Sequence, residues 1–370
     1  MQHQQQQPPS SAIPLQSLTE INDIRSPAQF RSITFSNFKR TEVKTKLLEN
    51  MKIEKVEPAC YWTAELICAG HYNDIWEIIL HYLGKYIYLA NPKMIFYLEN
   101  RYKIFNTIVS QRHYNIELDL RNNERIRKLF TEVITILTIS SKKTGIELLK
   151  INFTENYFNI EHLHERCKAP SVNYATAVFK KKDPQEFFIA LNEFAYNVST
   201  DSKNVADACY WLEWIIEFNN HCNRQKMKCA IERRHDYPVE SAYQRDIIWL
   251  IWDIFFINCG ETGLLSKYVA SLLQIFCINY TSAANKRRRY LLYLCITLII
   301  ESRQLEERQN VELILNKSLV ETVLTNIDDV YKQIKKNEQS PNMDYLYSGI
   351  DDSAQNLNET IRKMNIIDTL

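Results

Sequence analysis

The sequence predicts an all-α protein of stacked helical hairpins, a helical-repeat-like array that admits two related halves. Three observations predict it. Six glycines in 370 residues is far below the usual share of about 7%, and β-hairpin turns, tight barrels and Gly-rich phosphate loops need glycine for positive φ. Apolar residues recur at helical spacing through most of the chain. The tetrapeptide Ala-Cys-Tyr-Trp occurs twice, as Ala59, Cys60, Tyr61, Trp62 and as Ala208, Cys209, Tyr210, Trp211, each time just after a helix-start signal.

Residues 1–35 are rich in Gln, Pro and Ser and carry little periodicity, which predicts a disordered lead-in outside the fold. Residues 36–140 read as an N-terminal helical domain. Val43, Leu47 and Met51 share one helix face. Pro58 suits the first position of the next helix, where its missing N–H costs nothing, and Gly70 suits its end. Asp74 and Glu77 have the spacing of a capping box ahead of Ile78, Ile79, Tyr82 and Leu83. Asn91-Pro92 breaks that helix. Ile95, Leu98 and Tyr102 mark another, and Ile126, Phe130, Val133 and Leu137 a further one.

Residues 141–182 form an irregular connector that ends in Lys180–Lys182. The C-terminal helical domain, 183–338, opens on Asp183-Pro184-Gln185-Glu186, read as cap, N1 proline and N3 glutamate. Asp207 is the expected cap of the second Ala-Cys-Tyr-Trp helix. Ser241–Asn258 is apolar nearly all round, as a helix at the centre of a large core would be. Leu264–Ile278 and Tyr290–Ile300 follow as core helices, then the more polar Val311–Ile334. Residues 339–370 read as a linker, opened by Ser340-Pro341, and a terminal helix.

An offset of 149 residues aligns Val56–Ile67 with Val205–Ile216 without gaps. The flanking helices align poorly. A tandem duplication with heavy divergence gives this pattern, and so does coincidence in a Tyr- and Trp-rich helical chain.

Composition narrows the function classes. Hydrophobic residues make up 45% of the chain, enough for a sizeable core, and the formal net charge of +1 creates no global attraction to nucleic acid or to an acidic membrane. The nine cysteines are scattered, several within apolar runs, as reduced buried thiols would be. The opening residues lack a basic and then apolar leader, so an intracellular, non-secreted protein is expected. The longest apolar runs fall short of the roughly 20 residues of a membrane span. No Cys-x-x-Cys, phosphate-binding loop, H-E-x-x-H or G-x-S-x-G pattern occurs. His162, His164 and Cys167, and likewise Cys222, Cys229 and His235, lack the paired spacing of structural zinc sites and read as core thiols and partly exposed imidazoles. Neither cofactor nor catalytic residue is expected.

The basic clusters are the candidate binding residues. Arg224, Lys226, Arg233 and Arg234 form one, with Lys228 among them; Lys286, Arg287, Arg288 and Arg289 form the other. On one face they would track a phosphate backbone. Apart, they are loops and polar helix faces.

Pro58–Leu83 (PACYWTAELICAGHYNDIWEIILHYL) and Leu89–Tyr102 (LANPKMIFYLENRY) resemble a family of uncharacterised proteins from giant nucleocytoplasmic large DNA viruses. The resemblance spans roughly Phe35–Tyr102 and more faintly Asp201–Phe256. A second, local similarity is to the helical collar of clamp-loader-type ATPases, carried by Asp207-Ala208-Cys209-Tyr210-Trp211-Leu212, with the ATPase module missing. The first resemblance implies a viral setting: host cytoplasm, viral factory or virion. The expected function is a non-enzymatic structural or interaction component whose partners are other viral proteins. The alternative is a nucleic-acid-associated accessory factor of viral replication or transcription.

Overall fold

The computed structural model of the chain describes residues 18–111, 117–151, 163–227, 229–302, 305 and 310–339. Within these residues the protein is all-α. The sole β pairing among them is an isolated antiparallel bridge between Ile33 and Lys39. The main helices are α1 (Arg40–Lys52), α2 (Val56–Cys68), α3 (Tyr72–Tyr82), α4 (Met94–Gln111) and α5 (Glu124–Ile139), then α6 (Phe188–Val198) and α7 (Val205–Arg224). They continue with α8 (Ile248–Cys259), α9 (Leu264–Phe276), α10 (Arg289–Ile300) and α11 (Lys317–Lys335). No helix of the described residues is long and apolar enough to cross a membrane.

One contiguous hydrophobic cluster runs through both halves. Helix α4 packs on α9, and the closing helix α11 packs on α2 and α5. Segments far apart in sequence therefore share one core. Trp76, Trp211, Trp249 and Trp252 are fully buried in it, as their helical spacing implies. Helix α8 is buried on nearly every side, which accounts for its apolar composition.

The two Ala-Cys-Tyr-Trp segments occupy matching local positions. Each lies in the second helix of a hairpin, α1–α2 and α6–α7. In each, the Ala and Cys are buried, and the Tyr ring meets its Trp neighbour edge-on, at 5.1 Å and 84° for Tyr61–Trp62 and 5.4 Å and 82° for Tyr210–Trp211. Beyond the hairpins the surroundings differ. Helix α2 also carries α5 and α11, whereas α7 carries α10. The motif residues serve packing: burial pushes the Cys60 thiol up to about 11, and its sulfur lies 3.6 Å from Thr135 Oγ1.

Several expectations are corrected. Residues 18–35 belong to the fold, because Ile21, Phe30 and Phe35 are buried in the core. There the buried pair Asp23–Arg25 (2.7 Å) binds the far end of the chain: Asp23 accepts from the Gln339 amide at 2.8 Å, and Ile24 N donates to Gln339 O at 3.2 Å. Asp183 does not cap a helix. Its carboxylate receives Lys180 N, Glu232 N and the buried Arg234 guanidinium. Asn204, three residues before Asp207, caps α7 by accepting from the Asp207 amide at 3.1 Å. Pro58 lies in the first turn of α2 but at its third residue. Residues 1–17 of the lead-in and the predicted terminal helix lie outside the described residues.

Candidate polar cleft between α7 and the 282–288 turn

Helix α7 buries an apolar face through Ile216, with Glu213 the buried acid within it, and then turns polar. Asn219, Asn220 and Asn223, at i, i+1 and i+4, put amides on one side of its last two turns. Facing them is the turn Ser282–Arg288, which includes the single helical turn Ala284–Arg287 and leads into α10. Between lies a cleft of about 820 Å³, lined by the three asparagines, Ser282, Asn285, Lys286 and Arg287, with Arg245, Asp246 and Cys229 from the intervening loop. That volume lies within the range of small-ligand sites, about 300–1,000 Å³.

The loop is fixed by backbone pairing across it. Ile231 N donates to Arg245 O at 3.1 Å and Arg234 N to Gln244 O at 2.9 Å. At the cleft wall the Tyr280 hydroxyl stands 2.8 Å from the Asp246 carboxylate and 2.7 Å from Asn285 Oδ1. Burial raises the Asp246 pKa, with Ser282 and Tyr280 opposing the shift.

The eight basic candidates divide cleanly. Arg224, Lys226, Lys286 and Arg287 are exposed, and Arg233 is half-buried with its guanidinium 3.3 Å from Ser241 O. Arg234, Arg288 and Arg289 are buried, and this corrects their assignment as nucleic-acid contacts. Arg234 binds Asp183 (2.8 Å) and Asp253 (3.0 Å). Arg288 binds Glu77 (2.7 Å) and the Phe276 carbonyl. Arg289 pairs with Glu213 and with Glu217 (2.6 Å). A buried guanidinium without a carboxylate would be strongly destabilising, so each such arginine comes with its acid. Lys228 lies outside the described residues.

Of the two sequence clusters only the second reaches the cleft, through Lys286 and Arg287; none of Arg224, Lys226, Arg233 and Arg234 lines it. Lys286 and Arg287 line the same cleft as Asn223, the residue next to Arg224. Arg245 and the asparagines escaped the sequence reading. The signal for the latter was present in Asn219-Asn220-x-x-Asn223, a polar stripe that abruptly ends an apolar one.

Beneath the cleft, Arg289 ties α10 to α7. Burial pushes Glu213 up to about 7, against the opposing pull of Arg289 and the Tyr293 hydroxyl, which donates to it at 3.0 Å. Glu217 is held below its ordinary value in spite of burial, by Arg289 and the Asn220 amide. Among the described residues no group of three or more His, Cys, Asp or Glu is placed to hold a metal ion. Cys222 and Cys229 are buried, while His235 is exposed.

The fold and cleft define an all-α protein with a donor-rich surface recess. No family model matches the chain, and no curated protein or solved structure matches it either.

Proposed function

We propose that the protein is a non-enzymatic helical interaction component and that its cleft holds single-stranded nucleic acid by the phosphates. One observation carries the reading: three asparagine side chains on α7 face Arg245, Lys286 and Arg287 across a single recess. Amides and cations are the donors that proteins use for phosphate oxygens. The recess is too small for a duplex, which is why a single strand is the chosen form. Its lining has no aromatic ring, so contact to the backbone is expected in place of base stacking. The setting proposed with it is replication or transcription in a large DNA virus, supported by the sequence resemblance alone, over Phe35–Tyr102 and more faintly Asp201–Phe256.

The test is fluorescence anisotropy of labelled single- and double-stranded oligonucleotides, DNA and RNA, across a salt series. Three cations on a single strand give a log–log slope of roughly −2, from about 0.7 per phosphate contact. Lys286→Gln with Arg287→Gln should abolish most of the binding while leaving the fold intact, since both side chains are exposed and the buried Arg288 keeps Glu77 paired. Absence of binding at low salt would overturn the nucleic-acid reading and leave a protein partner as the object of search.

A further inference from the structure

Four buried arginines among the described residues are each matched by an acid: Arg25 by Asp23, Arg234 by Asp183, Arg288 by Glu77 and Arg289 by Glu213. Two others are not. Arg121 and Arg127 are 8% and 5% exposed, and neither forms an ion pair among the described residues. Arg121 Nη2 donates to the Asp23 carbonyl at 2.9 Å, while its Nη1 is buried with no hydrogen-bond partner. Arg127 Nε donates to the Arg121 carbonyl at 2.6 Å. Its Nη2 donates to the Thr19 carbonyl at 3.1 Å and to Asn122 Oδ1 at 2.9 Å. The guanidinium carbon lies 3.9 Å from the centroid of the Tyr331 ring, which holds the group flat. These contacts use Nε and Nη2 and leave Nη1 without a protein partner among the described residues. A buried cation without a counter-charge is costly, so a guanidinium that the chain leaves without an acid favours an anion from outside it.

Arg127 opens onto a cavity of about 330 Å³ between Thr19 and Glu20 near the N-terminus, α5 and α11. That volume is at the lower end of small-ligand sites, about 300–1,000 Å³. Thr19 and Ile327, both buried, line it beside Arg127. The mouth is acidic. Glu20 and Asp328 are exposed there and have no ion-pair partner among the described residues, whereas Glu124 pairs with Lys128 at 2.5 Å.

We propose that this cavity binds a free basic α-amino acid, whose carboxylate meets Arg127 and whose cationic groups meet Glu20 and Asp328. The buried guanidinium is a fixed and permanently charged donor for a carboxylate. The exposed acids accept from ammonium groups nearer to solvent. With Glu124 paired to Lys128, Arg127 and the two unpaired acids leave the site a net charge of minus one. Lysine and arginine carry plus one at neutral pH, so ligand and site are complementary. Phosphate and simple dicarboxylates would face the same two acids and are disfavoured. The inference is independent of the nucleic-acid reading, because the cavity shares no residue with the cleft beside α7.

Isothermal titration calorimetry of the full chain with L-lysine and L-arginine tests the site, beside two probes that each lack one half of the pattern. Diaminopentane keeps the amines of lysine without its carboxylate, and hexanoate keeps a carboxylate without an amine. One of the two amino acids is expected to bind, and each probe to bind about tenfold or more weakly, since a charge-assisted hydrogen bond is lost. Arg127 also holds two backbone carbonyls, so the exposed acids are replaced in its stead. Glu20→Gln with Asp328→Asn should leave the melting temperature of the free protein unchanged and weaken the amino acid to the level of hexanoate. No heat from either amino acid at millimolar concentration would overturn the proposal. Diaminopentane binding as tightly as lysine would overturn it too, because the mouth would then take cations without Arg127. So would a double variant that binds the amino acid as the parent does.

Discussion

Arg288 and Glu77 hold the two halves of the core together. The Arg288 Nη2 atom lies 2.7 Å from Glu77 Oε1, on a side chain 2% exposed, while its other nitrogen donates to the Phe276 carbonyl. Glu77 sits in α3 and Arg288 at the start of α10. Its neighbour Arg287 reaches the same carboxylate at 3.3 Å but is 48% exposed. Adjacent arginines of one basic run thus share an acid but differ in burial.

Arg288→Ala should therefore destabilise the protein by about 3–5 kcal/mol, the cost of removing one partner from a buried ion pair. Arg287→Ala should change stability by no more than about 0.5 kcal/mol, as exposed pairs do. Urea unfolding of both variants measures the difference. Equal effects would mean that the Glu77–Arg288 contact is not a structural tie.

Among the described glycines, Gly84 leaves the least room for a Cβ. It lies in the π-helical turn Leu83–Ile87 that extends α3, and a Cβ there would stand 2.7 Å from the Tyr290 carbonyl carbon. The obstacle is backbone, which cannot swing aside as a flexible side chain would. Gly84→Ala should cost about 1–3 kcal/mol by overpacking, read as a fall in the urea midpoint with unchanged slope. A variant as stable as the parent would show that α3 and α10 can separate freely.

The α7 cap gives a prediction that the sequence placed three residues too late. Asn204→Ala should cost about 1 kcal/mol, because its side chain satisfies the Asp207 amide. Asp207→Ala should cost less, since its carboxylate bonds only the Asn204 amide and the exposed Lys168. Thermal melts of the two variants, ranked against each other, decide which residue is the cap.

That misplacement shows what was legible in the chain. The helices were read from apolar spacing, which burial enforces directly: Val43, Leu47 and Met51 are all fully buried. Acidic residues near helix starts were harder, because an aspartate serves a cap or a distant arginine equally well. Asp183 has the local pattern of a cap, yet Arg234, 51 residues away, claims it. The same blindness affected the arginines. Nothing local distinguishes Arg287, which is half exposed and lines the cleft, from Arg288 and Arg289, which are buried against acids on α3 and α7. The cleft itself required the turn at 282–288 to meet α7, a juxtaposition fixed by tertiary packing alone.

Glu213 gives the pH prediction. Its folded-state pKa is raised from an ordinary 4.5 to about 7, so between those values the folded protein holds a proton that the unfolded chain has released. The contribution of this group to stability is then present in full below about pH 4.5 and is lost as pH rises to about 7. The slope is at most one proton, about 1.4 kcal/mol per pH unit. Protonation is tolerable here because Arg289 keeps Glu217 as a charged partner at 2.6 Å. His71 and His81, whose pKa values burial lowers, act in the opposite sense over a similar range. The informative quantity is therefore a difference. Unfolding free energy measured from pH 4.5 to 8 for the parent and for Glu213→Gln should diverge, with the parent losing ground relative to the variant as pH rises. Parallel curves would mean that Glu213 stays ionised throughout, held by Arg289 against its burial.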